Sequence, residues 1–212
     1  MRRLLLTAAL LVAAPPALAH PHVFVDASVD FVLDAEGRVE RLRIGWFYDP
    51  LFSLYLLGEM GIDAFAPADE ATRAAIAEDQ TNWIEGFEGN SFLLADGEPI
   101  RLSGPLNPTG DIVNGRVAAS HERRLETPLD PRETEIVVEV YDPVYFIAYT
   151  VSGPTRVEGP GAEACRAAVD EFKPTDGLLA LQGLLLSLAM EDIPEDPTVG
   201  RLFTDRVRLT CG

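Results

Sequence analysis

Three histidines are the side chains of this 212-residue chain best suited to bind a transition metal: His20, His22 and His121. Neutral imidazole is a common ligand of zinc, copper, nickel and cobalt. His20 directly follows Ala17-Leu18-Ala19, which places small residues at the two positions that a signal peptidase reads. Cleavage there would give His20 a free α-amino group. That amine could chelate one metal ion together with the imidazole of the same residue.

His22 lies two residues beyond His20, so both side chains point the same way if the segment is extended. Pro21, between them, has no amide N–H, and a square-planar site made of deprotonated backbone amides therefore cannot form. What remains is a histidine brace, in which the α-amine and the two imidazoles hold one divalent nickel, cobalt, zinc or copper ion. The simpler alternative is a solvated tail, because terminal residues are often disordered.

A fourth ligand would have to come from elsewhere in the chain. Asp26 lies on the same face of the extended segment as His22 and is one candidate. Asp49 and Asp142 are others, although an Asp before a Pro is also an ordinary turn device. His121, in the segment GRVAASHERRL, is the last candidate, and its simpler interpretation is a residue on the surface of a strand.

Residues 1–19 have the three parts of a secretory signal peptide. Arg2 and Arg3 form a basic start, residues 4–14 are apolar apart from Thr7, and two prolines end the apolar run. The run is too short to cross a bilayer. We expect cleavage after Ala19, which leaves residues 20–212 as a single periplasmic α+β domain.

The composition excludes some classes of function. The chain has 17 Lys+Arg against 34 Asp+Glu, which gives a net charge of −17. Such a charge repels nucleic acid and anionic lipid, because binding to either needs clustered basic side chains. Phosphate-binding, dinucleotide-binding, zinc-protease and serine-hydrolase motifs do not occur in the sequence, so no enzyme class is indicated.

Cys165 and Cys211 are the two cysteines of the chain, and they are far apart in sequence. In an oxidising compartment such a pair most often forms a disulfide. The bond would close a loop of about 46 residues and stabilise the fold by roughly 4 kcal/mol in the chain-entropy model.

The first half of the chain predicts a hairpin followed by helices. Val23–Leu33 and Val39–Tyr48 alternate between apolar and polar residues around an Asp-Ala-Glu-Gly turn, as half-buried strands do. Residues 51–60 are apolar at helical spacing and follow Asp49-Pro50, which suits the first turn of a helix. A second helix is predicted from residue 67 to about residue 86.

The second half of the chain is dominated by strand patterns. Strands are predicted at residues 91–94, 100–102, 114–125, 134–141, 144–151 and 206–211. Residues 153–161 form a connector rich in glycine and proline, residues 162–172 look weakly helical, residues 177–190 form an apolar helix, and residues 197–203 a short helical turn. The predicted fold is α+β, with a mostly antiparallel, sandwich-like sheet and two helical blocks.

Several of these segments together resemble the domain-of-unknown-function family 1007. They are HPHVFVDASVDFVLDAEGRV after the signal peptide, then IGWFYDPLFSLYLL and VYDPVYFIAYTV, with cysteines near the end. The most specific parts are His20-Pro21-His22 and the Tyr-Asp-Pro-x-Tyr motif of residues 141–145. The resemblance covers nearly the whole mature chain.

The resemblance implies a periplasmic protein, loosely described as a component of an ABC-type transport system. Its relatives tend to occur beside membrane permeases that resemble nickel and cobalt exporters. We therefore expect a metal-binding accessory protein that passes a divalent ion to or from an inner-membrane metal permease, and that is neither an enzyme nor membrane-embedded. A non-metal adaptor that docks a membrane partner through the 177–190 helix is the alternative, and a copper-brace oxidase ranks last.

Overall fold

The computed structural model describes residues 21–189 and 192–212. Its strands are β1 (Val23–Leu33), β2 (Val39–Tyr48), β3 (Ser91–Ala95), β4 (Glu98–Ile100), β5 (Leu106–Val113), β6 (Arg116–Leu129), β7 (Ile136–Val140), β8 (Ile147–Val151), β9 (Val157–Glu158), β10 (Cys165–Asp170) and β11 (Asp205–Cys211). Its α-helices are α1 (Pro50–Glu59), α2 (Glu70–Asp79) and α3 (Asp176–Leu185), and short 3₁₀ turns cover Ala162–Ala164 and Val199–Phe203.

The strands form two sheets. The first has the order β5-β6-β2-β1-β8, with β9 paired beside β1, and the second has the order β10-β11-β7-β3-β4. All pairings are antiparallel except those of β1 with β8 and with β9. The predicted α+β class with a mostly antiparallel sheet is confirmed.

The predicted hairpin of β1 and β2 is confirmed at both strands. The carboxylate of Asp34 accepts the backbone N–H groups of Glu36 and Arg38 and so closes the turn. Alternate residues of both strands face inward, and Val29 and Ile44 are fully buried opposite each other. This burial fixes the register, because a slip by one residue would turn every apolar side chain outward.

The two sheets share one hydrophobic core. Side chains from the first sheet, from the second sheet and from α1 and α2 belong to a single buried cluster, which includes Phe31, Leu57, Ile76, Val138 and Leu209. The core therefore lies between the sheets, with α1 and α2 packed against β5 and β6.

Several predicted elements differ from the structure. The strand predicted at residues 100–102 is β4 (Glu98–Ile100), the helix predicted at 177–190 ends at Leu185, and the connector predicted at 153–161 contains β9. Residues 162–172, predicted as weakly helical, form a 3₁₀ turn followed by β10. Their alanines favour a helix locally, but pairing with β11 outweighs this weak preference. The second helix, predicted from residue 67 to about residue 86, is present only as α2. The residues beyond Asp79 form turns instead. The strand predicted from residue 144 begins at Ile147, and β5 was not anticipated at all.

The disulfide between Cys165 and Cys211 is confirmed. The two residues are direct partners in the antiparallel pair of β10 and β11. The bond thereby joins the last strand of the chain to an edge strand of the second sheet. Such a bond is typical of proteins in oxidising compartments.

The apolar helix predicted at residues 177–190 is present as α3, capped by the hydroxyl of Thr175, which accepts the N–H of Leu178. Its last predicted residue, Met190, lies outside the described residues. Across residues 21–189 and 192–212 no helix has the length and apolar character that crossing a membrane requires.

Candidate functional site

His22 lies directly before β1 and is held against the turn that leads into β8. Its backbone N–H donates to the carbonyl oxygen of Phe146 at 2.8 Å. Its ring lies against the Phe146 ring, with 4.6 Å between the centroids. The parallel pairing of β1 with β8 begins directly after this contact and places Val23 opposite Ile147. His22 is therefore part of the folded sheet and is not a solvated tail.

Asp142 lies on the other side of the same peptide group. Its Oδ2 atom accepts the N–H of Ile147 at 2.9 Å, and the carbonyl of that Phe146–Ile147 peptide is the acceptor for His22. The oxygen and nitrogen of one peptide are about 2.3 Å apart, so the His22 nitrogen and the Asp142 carboxylate lie within about 8 Å. The structure thus places His22 and Asp142 on either side of one peptide group at one end of the first sheet.

The turn that carries Asp142 is held in place by contacts with α3 and with the 3₁₀ turn at Val199–Phe203. Tyr145 has a positive φ of 61°, which is uncommon for a bulky residue. Its hydroxyl accepts a hydrogen bond from Gln182 at 2.8 Å, and its ring lies 4.4 Å from that of Phe203. Gly200 donates its N–H to the carbonyl of Pro143 at 2.8 Å. These contacts hold the strained turn in place from α3 and the 3₁₀ turn beyond it.

Gly200 gives a test of how the turn positions Asp142. A Cβ at this position would overlap the carbonyl oxygen of Asp142, so we expect Gly200→Ala to push the turn away from the second sheet. The expected cost is about 1 to 3 kcal/mol of unfolding free energy, the usual range for overpacking. Urea unfolding measures it, and Gly183→Ala, where an added Cβ meets nothing within 4 Å, is the control.

Asp49 serves as the N-cap of α1. Its Oδ1 atom accepts the N–H groups of Leu51 and Phe52 at 2.8 and 2.9 Å, as an N-cap aspartate does. Its Oδ2 atom accepts the N–H of Phe24 at 3.0 Å. Asp49 lies near the start of β1, but three backbone donors already use its carboxylate.

Asp26 and His121 lie further along the sheet. Asp26 is four residues beyond His22 on β1, about 13 Å at the usual rise of a strand, and it forms an ion pair with Arg116 at 3.0 Å. His121 pairs with Ile44, which pairs with Val29, a position about 23 Å along β1 from His22. The ligands of one ion lie about 2 Å from it, so the structure does not bring either residue to His22.

His121 is a core residue. It is 2% exposed, so the interpretation of a residue on the surface of its strand is wrong. Its ring is in edge contact with those of Trp46 and Trp83, at 4.8 and 5.1 Å between centroids. Its Nε2 atom is buried and has no hydrogen-bond partner among the described residues. Burial, and then the nearby Arg123, lower the pKa of His121 from 6.5 to about 3.

This lowered pKa predicts a pH dependence of stability. The folded protein keeps His121 neutral while the unfolded chain takes up a proton below pH 6.5, so the stability falls as the pH drops towards 3. Between pH 6.5 and 5 we expect a loss of about 1 to 2 kcal/mol from this group. Urea unfolding at both pH values measures it, and His121→Phe should remove this part of the dependence. An equal loss in both proteins would contradict the assignment.

Within the described ranges, no three His, Cys, Asp or Glu side chains are grouped so that they could hold a metal ion. His20, which the sequence predicts as the central ligand, lies outside those ranges. The pair of His22 and Asp142 could supply an imidazole and a carboxylate, which are suitable ligands for a divalent transition metal.

Sequence reasoning did not predict that the Phe146–Ile147 peptide forms hydrogen bonds with both His22 and Asp142. Asp142 was a candidate because it precedes Pro143, as an aspartate at a strand end or turn often does. A parallel pairing between β1 and a strand over a hundred residues later leaves no local signal, so the neighbour of His22 could not be identified.

Comparison with known families gives one match. A family model described as a protein of unknown function (DUF1007) matches residues 5–211. A search of curated proteins finds no match. The resemblance found in the sequence motifs is thereby confirmed over nearly the full chain.

Proposed function

Because the chain belongs to this family of unknown function over residues 5–211, its role has to be argued from its own residues, and we propose that it is a periplasmic metal-binding accessory protein. It binds one divalent nickel, cobalt, zinc or copper ion at the N terminus left by signal-peptide cleavage. It exchanges that ion with an inner-membrane metal permease.

One observation carries the proposal. The Phe146–Ile147 peptide accepts the N–H of His22 through its carbonyl and donates its own N–H to Asp142. The backbone nitrogen of His22, two residues beyond the predicted cleavage point, thus lies within about 8 Å of the Asp142 carboxylate. In a frayed tail the ordering of these groups would cost binding energy, whereas here much of that cost is met by folding.

The proposed ligand set has four groups. The α-amine and imidazole of His20 chelate the ion, the imidazole of His22 is the third ligand, and the carboxylate of Asp142 is the fourth. Three nitrogen ligands favour the later first-row metals, with Cu(II) bound most tightly on ligand type alone. The family resemblance favours nickel, cobalt or zinc. Pro21 removes the competing amide-bound site, because it offers no N–H to deprotonate.

Two features support export to the periplasm. Residues 1–19 have the basic, apolar and small-residue parts of a signal peptide. The disulfide between Cys165 and Cys211 is stable in an oxidising compartment. Both the free amine of His20 and the disulfide would arise after translocation, so export would complete the metal site and the fold.

Exchange with a permease requires an accessible site. His22 as a whole is half-buried, although its Nε2 atom is enclosed among the described residues, and Asp142 is half-buried as well. An ion at the edge of the sheet can pass from one ligand set to another without unfolding of the protein. The net charge of −17 raises the local concentration of cations and favours this encounter.

The proposal is tested on protein purified from the periplasm. N-terminal sequencing should show that the chain begins at His20, and elemental analysis should find about one transition-metal ion per chain. A chain that begins at another residue would remove the amine from the site and overturn the proposal. Metal content equal to that of a buffer blank, after purification without chelators, would do the same.

A further inference from the structure

A cleft of 370 Å³ opens between β2, the segment after α2 and the start of β8. Its walls are aromatic and include Trp46, Trp83, Phe87 and Tyr149. The chain has two tryptophans, and both border this cleft. The volume lies at the small end of the range usual for ligand pockets, so it suits a ligand of only a few heavy atoms.

The wall formed by Trp83 is held in a defined position. The indole N–H donates to the carbonyl of Gln80 at 3.0 Å, and the ring is in edge contact with Phe87. Gly89 has a φ of +65°, and a Cβ there would overlap the indole ring. A glycine at this position lets the backbone approach the ring closely, which indicates that the cleft is formed before any ligand arrives.

The polar groups of the cleft leave mainly acceptors for a ligand. Tyr48 donates its hydroxyl proton to Oε1 of Gln80, and the amide N–H₂ of Gln80 donates to Asp79 at 2.7 Å. The amide N–H₂ of Asn90 donates to the hydroxyl of Tyr149 at 2.9 Å. The indole nitrogen of Trp46 is buried and does not reach the surface of the cleft. Several of the local donors are therefore already used within the protein.

Negative charge borders this cleft. Both Asp79, at the exposed end of α2, and Asp142, at the turn before β8, line the cleft. No Lys or Arg is among the described residues that line it. A cation placed between the two carboxylates would gain Coulomb energy from both, and aromatic faces attract cations through their quadrupoles.

We propose that this cleft binds a small organic cation of the primary or quaternary ammonium class between Asp79 and Asp142, against the rings of Trp46, Trp83 and Phe87. An anion is disfavoured because both carboxylates would repel it. An uncharged sugar would gain nothing from the charge of either carboxylate. The proposal shares Asp142 with the proposed metal site but goes beyond it, because Asp79 and the aromatic walls have no part in that site.

Tryptophan fluorescence of the full mature protein tests the proposal, because both indoles border the cleft. Choline chloride and putrescine are the probes, with sodium chloride at equal ionic strength, glucose and sodium acetate as controls. We expect a saturable change at millimolar concentrations with choline or putrescine and none with the controls. Asp79→Asn should weaken binding roughly fivefold or more, as the loss of one charge beside an aromatic site would.

Glu78→Gln is the matched variant, since this neighbouring acid is exposed and does not line the cleft. It should bind like the unaltered protein. The proposal is overturned if neither ammonium probe gives a saturable change, if glucose or acetate gives the same change, or if Asp79→Asn binds as tightly as Glu78→Gln. The titrations use metal-depleted protein, because an ion held by Asp142 would compete with the organic cation, and a failed metal site is then not mistaken for a failed cleft.

Discussion

His22→Phe in the mature chain is expected to weaken binding of the preferred divalent ion by at least about 100-fold. Loss of a residue that only supports a ligand typically lowers metal affinity about 10- to 100-fold, and His22 is proposed to be a ligand itself. Phenylalanine retains a ring to pack against Phe146, and the backbone N–H still donates to the Phe146 carbonyl. The fold should therefore survive while the imidazole is removed. Calorimetric titration with nickel, cobalt, zinc and copper salts measures the change.

Asp26→Asn is the matched control for that variant. Asp26 is on the same strand and is paired with Arg116, and its distance from His22 leaves it outside the proposed ligand set. Its removal changes the local charge without removing a ligand, so the affinity should stay within about threefold, a change of less than 1 kcal/mol. Equal loss in both variants would mean that diffuse charge, and not His22, attracts the ion.

Loss of the disulfide is the largest expected effect on stability. Replacing Cys165 and Cys211 together by serine should lower the unfolding free energy by roughly 4 kcal/mol, because the unfolded chain would regain the freedom of a loop of about 46 residues. Urea unfolding of the oxidised protein and of the double variant measures the difference.

Reduction of the unaltered protein provides the control for the double variant, since it breaks the same bond without a change of side chain. Both should show a similar loss. A loss below about 1 kcal/mol in both would mean that pairing of β10 with β11 alone holds the last strand, and that the unfolded chain gains little from the broken bond.

Local patterns in the sequence were sufficient to predict the elements that form one face of the core. The alternation in Val23–Leu33 and Val39–Tyr48 predicted both strands of the hairpin, and Asp49-Pro50 predicted the start of α1. These signals are local, because the side chains of one strand that face the core recur at every second residue. The fold class followed from the same kind of pattern, whereas the disulfide followed from the cysteine count and the expected oxidising compartment.

Non-local pairing accounts for most of what the sequence did not predict. Residues 162–172 have a composition that suits a helix, but the partner strand β11 lies about forty residues later and decides the outcome. β5 was missed because its exposed residues carry no apolar alternation. In the candidate site, Asp142 was predicted from its place before Pro143, whereas its position beside His22 depends on the parallel pairing of β1 with β8.

The alternative of a non-metal adaptor has its own structural basis. α3 exposes several leucines, among them Leu179 and Leu184 at 50% and 67%. If the two-histidine terminus proved irrelevant to metal, a partner that covers this helix would be the next hypothesis to examine. Pull-down of membrane proteins by the unaltered protein and by Leu184→Glu would then be informative.

The central claim is that a free α-amine on His20 shares one ion with the imidazole of His22. The most direct measurement is calorimetric titration of mature protein beginning at His20, alongside the same protein with its α-amine acetylated, because an added residue would bring an amine of its own. The account predicts one ion per chain for the first, and for the second an affinity lower by at least about tenfold through loss of the amine as a ligand. Equal affinity in the two proteins, or no uptake by the mature chain, would contradict it.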